Sequence, residues 1–154
     1  MDNVFIFDTE TTDKDEPELI EAAWLRVEKV VDLGGDSDRI PGPLAFDGEF
    51  IQRYKPTRRI NYGAMVVHNI LPYELDDCEP SSSFALPSYT DYIVGHNIDF
   101  DWNVIGKPDI KRICTDAMAR YIWEEADSYS QSALLYMTYG ATPEVRGWLK
   151  DAHS

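Results

Sequence analysis

Short blocks of hydrophobic residues, separated by polar and turn-forming residues, predict five strands in this chain. The apolar or β-forming runs cover residues 4–7, 20–31, 46–54, 92–94 and 112–114. Residues 32–47 hold two prolines and three glycines, and they predict a loop leading into the third strand. The first three strands therefore suit an antiparallel meander.

Helical patterns fill most of the rest of the chain. Helices are predicted over residues 61–69, 98–105 and 131–139, the last one ending at Gly140. Thr115 is expected to cap a further helix with Asp116 in its first turn, and a short final helix is expected to begin near Trp148. A run of strands followed by alternating strands and helices indicates an α/β domain with a mixed central sheet flanked by helices.

Length and composition describe an ordinary globular protein. The chain has 154 residues, which suits a single domain over 1–154, and it is 44% hydrophobic and 27% charged. No apolar run is long enough to span a bilayer, and the N-terminus lacks the pattern of a signal peptide. Cys78 and Cys114 show no metal-ligand spacing, so we expect a reduced, cytoplasmic protein without membrane contact.

The net charge of −14 argues against a passive nucleic-acid coat, because such proteins bind phosphates through Lys and Arg. The negative charge is compatible with an enzyme that brings cations to its substrate. Basic residues do gather in two places, which are either solvated loops or binding surfaces: Arg53, Lys55, Arg58 and Arg59, and then Lys107, Lys111 and Arg112.

Asp8 and Glu10 directly follow the first apolar run, in the sequence FIFDTET. Strand alternation places their carboxylates on one face, about 7 Å apart along the backbone. Carboxylates so close repel each other unless a cation lies between them, and Mg²⁺ favours such oxygen ligands. The pair indicates either a metal-dependent phosphoryl-transfer site or a solvated strand end.

A second polar cluster, GHNIDFD at residues 95–101, follows the fourth predicted strand and enters a helix. Asp101 on this helix can join Asp8 and Glu10 around a metal, or lie on the surface. His96 and Asn97 can hold the backbone or a nucleotide, or cap the helix.

Together these segments resemble a known family. FDTET, AMVVHNI, YIVGHNIDFD, RICTDAMARYIW and KDAHS follow the order and approximate spacing of the DEDD, or DnaQ-like, 3′→5′ exonuclease superfamily. The tract over residues 92–123 is most similar to the exonuclease X branch. The resemblance implies an RNase H-like fold and a metal-dependent enzyme that releases nucleoside 5′-monophosphates from the 3′ ends of DNA or RNA, with single-stranded ends expected.

The resemblance also implies roles for particular residues. Asp8, Glu10 and Asp101 would bind two Mg²⁺ or Mn²⁺ ions, and His153 would be the general base of the histidine-type subgroup. Other residues would contact the terminal nucleotide: Thr9, Thr11, Val67, His68 and Asn97.

One departure from the family pattern concerns the end of the sequence. The family places a fourth carboxylate about five residues after its histidine, whereas this sequence ends at Ser154, and Asp151 would point to another helix face. We therefore expect a domain that is incomplete at its C-terminus, without its last helix, with a weakly bound second ion and poor turnover. The alternative function is a catalytically weak or inactive nuclease-derived module that binds nucleic acid or protein.

Overall fold

Three antiparallel strands form one half of a five-stranded sheet. The structure, a computed structural model, describes residues 2–30 and 44–152, with side chains described over 2–28 and 48–150. Strand β1 (Val4–Thr11) pairs antiparallel with β2 (Leu19–Val30), which pairs antiparallel with β3 (Leu44–Arg53). The predicted meander is therefore confirmed, and most of the predicted loop over residues 32–47 lies outside the described residues.

The other half of the sheet is parallel. Strands β4 (Tyr92–Gly95) and β5 (Lys111–Cys114) extend it from β1, so the strand order is β3-β2-β1-β4-β5. This mixed sheet with flanking helices confirms the predicted RNase H-like α/β fold.

Five helices of the described chain connect and flank these strands. They are α1 (Tyr62–His68), α2 (Ile98–Val104), α3 (Thr115–Ile122), α4 (Gln131–Tyr139) and α5 (Pro143–Ala152). Two short 3₁₀ turns, Pro72–Leu75 and Ser81–Ser83, lie between α1 and β4. None of the described helices is both long enough and apolar enough to cross a membrane.

Adjacent residues of β2 point into two separate hydrophobic clusters. Leu19 belongs to the main core, which is built on these buried residues: Phe7, Leu19, Ala22, Tyr54, Ile93 and Ile98. Ile20 belongs to a second cluster with Ile60, Ile70 and Leu75, against which part of α1 packs. The pairing of β1 with β2 shifts register between Glu10 and Thr11, so Ile20 lies at an irregularity of the strand and its side chain leaves the main core. The second cluster fixes α1 beside the sheet.

Two expectations about helix ends are wrong. The N-cap of α3 is Cys114, whose sulfur accepts a hydrogen bond from the Ala117 N–H at 3.5 Å, while the Thr115 hydroxyl lies 3.0 Å from Nδ1 of His96. The last helix begins at Pro143 rather than near Trp148, and it has ten residues. Proline suits the first turn of a helix, where its missing N–H has no intrahelical partner.

Candidate active site

Strand β1 continues through the acidic pair and so fixes the direction of both carboxylates. Phe5, Phe7 and Thr9 point to the buried side of the strand, and Asp8 and Glu10 point to the opposite side. The strand ends only at Thr11, beyond both acids. The predicted common face is therefore present because the regular alternation of the strand extends through the pair.

Asp101 reaches β1 beyond the point where the neighbouring strand β4 has ended. Strand β4 pairs only with Val4–Ile6, so the Thr9 N–H faces no strand on that side. Oδ1 of Asp101 accepts this N–H at 3.0 Å and the Thr9 hydroxyl at 2.6 Å. Asp101 is only 4% exposed, so these hydrogen bonds compensate for burying its carboxylate.

A close approach of the chain at Gly95 permits this arrangement. A Cβ atom at Gly95 would lie 2.8 Å from the backbone oxygen of Phe7 and 2.8 Å from a side-chain carbon of Ile98. Such distances are shorter than carbon contacts allow, so the end of β4 and the start of α2 fit against β1 only with glycine here. Gly95 thus helps to bring Asp101 to Thr9.

Burial, and then mutual repulsion, raise the pKa values of the carboxyl groups near β1. Burial, and then the charges of Asp8, Glu21 and Asp101, raise the pKa of Glu10 to about 7. Burial raises the pKa of Asp101 to about 6, with a further contribution from Asp8, against the opposing effect of the Thr9 hydroxyl. Asp8 is exposed overall, but partial burial of its carboxyl also raises its pKa. The group is thus short of positive charge.

Sequence reasoning missed Glu21 as a member of this group. It lies directly opposite Glu10 in the β1–β2 pairing, and its charge raises the pKa values of both Glu10 and Asp8. Arg53 binds it, with Nε 3.0 Å from Oε2. Aligning the two predicted strands around the turn between them would have placed Glu21 beside Glu10. Motif matching does not use this strand pairing and therefore did not identify Glu21.

A cleft of about 330 Å³ opens beside Glu10. The residues that line it come from β1, the turn after it, α1 and α2, and they are Thr9, Glu10, Thr11, Asp13, Lys14, Asn61, Gly63, Ala64, Val67, His68 and Phe100. Its volume lies at the lower end of the range for small-molecule sites, about 300–1,000 Å³. Four of the five residues expected to contact a nucleotide therefore share one cleft with Glu10.

Some polar groups of the cleft are already engaged. The Thr9 hydroxyl binds Asp101, and the Thr11 hydroxyl donates to the Asp13 carbonyl at 2.9 Å. Nδ1 of His68 accepts the Ile70 N–H at 3.0 Å. Burial lowers the pKa of His68, against the opposing effect of a backbone hydrogen bond with Thr11.

Other predicted site residues lie elsewhere. Asn97 is exposed, has φ of 59°, makes no side-chain cap for α2 and does not line the cleft. His96 serves the fold, because its ring nitrogens contact the Thr115 hydroxyl and the Tyr129 carbonyl. His153 lies outside the described residues.

The oxygen donors of the site suit a hard divalent cation, but they are not gathered around one point. Within residues 2–30 and 44–152, no group of three or more His, Cys, Asp or Glu side chains is arranged to hold a metal ion. The chemistry of the donors and their raised pKa values fit such an ion.

Comparison with known proteins gives a structural match only. No protein-family model and no curated protein matches the chain. A solved structure of exonuclease X in complex with 5′ overhanging duplex DNA matches 90% of this chain and 74% of its own, with a TM-score of 0.67 and 26% identity.

Exonuclease I also shares the architecture. Its zinc-bound complex with single-stranded DNA from E. coli matches 88% of this chain with a TM-score of 0.60 and 18% identity. A complex with a dA13 oligonucleotide gives a TM-score of 0.57 and 20% identity. This chain spans 34% of the former exonuclease I chain and 32% of the latter. The chain therefore has the fold of the DnaQ-like 3′→5′ exonucleases, the group that includes exonuclease X and exonuclease I.

Proposed function

We propose that this protein is a metal-dependent 3′→5′ exonuclease that releases nucleoside 5′-monophosphates from single-stranded nucleic-acid ends. The observation that carries the proposal is the pair of hydrogen bonds from Thr9 to Asp101. They hold a buried carboxylate next to the strand that carries Asp8 and Glu10, beside a nucleotide-sized cleft. The likeness to exonuclease X supports the same reaction class.

Each part of the site has a distinct task in this proposal. Asp8, Glu10 and Asp101 would hold Mg²⁺ or Mn²⁺, and the bound metal would lower the pKa of the attacking water and offset charge on the scissile phosphate. Val67 and Phe100 offer apolar surface to the terminal base or sugar. His153 would accept the proton of the water, as the family resemblance implies.

Arg53 limits the electrostatic cost of this acidic site. By pairing with Glu21 at 3.0 Å, it reduces the repulsion that Glu21 exerts on Glu10 across the strand pair. It also binds Glu74 at 2.8 Å, which ties the end of β3 to the segment after α1. The ion pair therefore offsets part of the negative charge that Glu21 adds beside Glu10.

The test is product analysis with end-labelled substrates. Single-stranded DNA and RNA labelled at the 5′ end, incubated with Mg²⁺ or Mn²⁺, should shorten one nucleotide at a time, and mass spectrometry should detect nucleoside 5′-monophosphates. A 3′-phosphorothioate end should slow the reaction. Internal cleavage, or equal rates on blocked and free 3′ ends, would contradict the proposed polarity.

Matched variants separate the site from the rest of the surface. Asp8→Ala and Asp101→Asn should abolish product release. Asp99→Asn changes the same chemical group on the same helix, but Asp99 is exposed and pairs with Arg112 at 2.6 Å. It should retain the activity of the parent, and equal loss in Asp99→Asn and Asp101→Asn would argue against the assigned site.

The second candidate function is a nuclease-derived binding module with little or no turnover. It is favoured by the lack, among the described residues, of three side chains arranged around one metal. Divalent-ion calorimetry distinguishes the two functions, since an exonuclease must bind Mg²⁺ or Mn²⁺ in a manner that Asp8→Ala removes. Nucleic-acid binding without metal binding or degradation would favour the module.

A further inference from the structure

The side of α1 next to the cleft carries large side chains that are open to solvent. Tyr62 is 71% exposed and Val66 is 77% exposed. Their four-residue spacing puts them on the same side of the helix. The residues that follow them, Gly63 and Val67, line the cleft. Since successive helix residues are about 100° apart, the Tyr62–Val66 side directly adjoins the cleft.

Arg59 adds a positive charge to this surface. Its guanidinium lies 4.9 Å from the centre of the Tyr62 ring. The neighbouring Arg53 and Arg58 are paired with acidic side chains, Arg53 with Glu21 and Glu74 and Arg58 with Glu16. Within the part of the chain that the structure describes, Arg59 forms no ion pair, so its charge is available to a ligand.

We propose that Tyr62, Val66 and Arg59 form a platform for single-stranded nucleic acid. The platform would receive the nucleotides that precede the terminal one while the terminal nucleotide occupies the cleft. This inference rests on the proposed exonuclease function. It adds the position of the rest of the nucleic-acid strand on the protein. Exposed aromatic rings bind successive bases by stacking, and arginine contributes both stacking and phosphate neutralisation.

Arg59 and continuity with the cleft favour a nucleic acid over a second copy of this chain at the platform. The protein carries a net charge of −14, so a second copy would bring the same excess of negative charge towards the surface. A nucleic acid is also an anion, but its charge is regularly spaced along one strand, where a single arginine can neutralise a phosphate beside a stacked base. Continuity with the cleft points to the same ligand.

Binding measurements with two probes test the platform. The parent for these measurements is Asp8→Ala, which should not cleave the strand. Fluorescein-labelled dT10 reports on binding of the strand, and dTMP reports on the cleft alone. Tyr62→Ala should weaken dT10 binding about 5-fold to 100-fold, the range for losing one base stack. It should leave dTMP binding within about twofold, because only the strand reaches the ring. Tyr121→Ala is the matched control, since Tyr121 is 87% exposed but lies on α3 and does not line the cleft.

Salt dependence tests Arg59 separately. Arg59→Gln should reduce the slope of log affinity for dT10 against log salt by about 0.7, the value for one phosphate on a single strand. Arg120→Gln is the matched control, because Arg120 lies 4.5 Å above the Tyr129 ring but pairs with Asp116. It should leave the slope unchanged.

The outcomes separate this inference from the function on which it rests. If the unmodified protein degrades dT10 while Tyr62→Ala and Arg59→Gln bind it like their parent, the platform is wrong and the exonuclease function stands. If the unmodified protein neither degrades nor binds any strand, both are wrong. A dimer that Tyr62→Ala dissociates, with unchanged dT10 binding, would assign the surface to self-association and overturn the platform.

Discussion

Thr9 and Asp101, which are 92 positions apart in the sequence, are joined by two hydrogen bonds to a single carboxylate oxygen. Thr9→Val keeps the shape of the side chain and removes the 2.6 Å bond. It should destabilise the protein by about 1–3 kcal/mol, because a buried charged acceptor loses a partner. Turnover should fall at least about tenfold, since the carboxylate proposed to bind metal is less firmly held.

Urea denaturation and single-nucleotide release assays measure the two effects. Thr90→Val is the control, because Thr90 is also buried and its hydroxyl donates to the Pro87 carbonyl at 2.7 Å, remote from the site. It should cost similar stability while leaving turnover per folded molecule unchanged. If Thr9→Val behaves like Thr90→Val, Thr9 has only a structural role.

Glu10 should make the metal-free protein less stable as pH rises. Its folded pKa is about 7 against an ordinary value of 4.5, so the folded state binds more protons than the unfolded state between these values. Stability therefore falls between about pH 4.5 and 7, by at most about 3 kcal/mol from this group.

Glu10→Gln should remove most of this slope. In EDTA, the variant should melt at a higher temperature than the parent at pH 8 and at nearly the same temperature at pH 4.5. Glu16→Gln, at an acid whose side chain is 81% exposed, should change neither value. A parent whose melting temperature rises steadily from pH 5 to 8 without metal, and equally in Glu10→Gln, would contradict the predicted effect.

Gly95→Ala should disturb the site through the backbone. The added methyl group would meet the Phe7 carbonyl oxygen at 2.8 Å, which the sheet holds in place. Overpacking of this kind costs about 1–3 kcal/mol and should push α2, with Asp101, away from β1. Denaturation and activity assays should therefore both show a loss.

Gly48→Ala provides the comparison for this change. A Cβ at Gly48 would lie 3.6 Å from the nearest side-chain atom, an ordinary contact, and Gly48 is on β3. Its effect on stability should be within about 1 kcal/mol, and activity should be retained. Wild-type stability in Gly95→Ala would show that β4 and α2 can shift freely relative to β1.

His153→Ala should reduce nucleotide release by about 10²–10⁴-fold, the usual contribution of a positioned general base. The variant should also lose the acidic limb of the pH–rate profile. Added imidazole should restore part of the rate if the side chain acts by proton transfer. A variant with the parent's rate and pH profile would remove His153 from the proposed mechanism.

Sequence patterns predicted the fold well wherever local rules determined it. The strands around Phe7, Trp24 and Ile93 were found from their apolar runs, although β1 continues to Thr11, beyond its apolar run. The helix end at Gly140 follows from glycine's conformational freedom at φ of 97°. The last helix was placed too late, because Pro143 was not read as a helix start. Thr115 was assigned as a cap although its hydroxyl contacts His96, a residue 19 positions away.

The candidate site shows the same division between local and long-range information. Motif order drew attention to Asp8, Glu10 and Asp101, but the hydrogen bond from Thr9 depends on where β4 ends, which no local pattern records. Glu21 was missed because its place beside Glu10 depends on the register between two strands. The ion pair with Arg53 depends on the register of a third strand as well.

The strand register also indicates where this protein can accept inserted residues and where it cannot. Glu21 and Arg53 pair at the site end of β2 and β3, while Val30 and Leu44 pair at the other end, nine residues along β2. At about 3.3 Å per residue, that end is roughly 30 Å from the carboxylates. Insertions between Val30 and Leu44 should therefore be tolerated more readily than insertions near Asp13. The same position suits a fluorescent reporter or an affinity tag that must not disturb the active site.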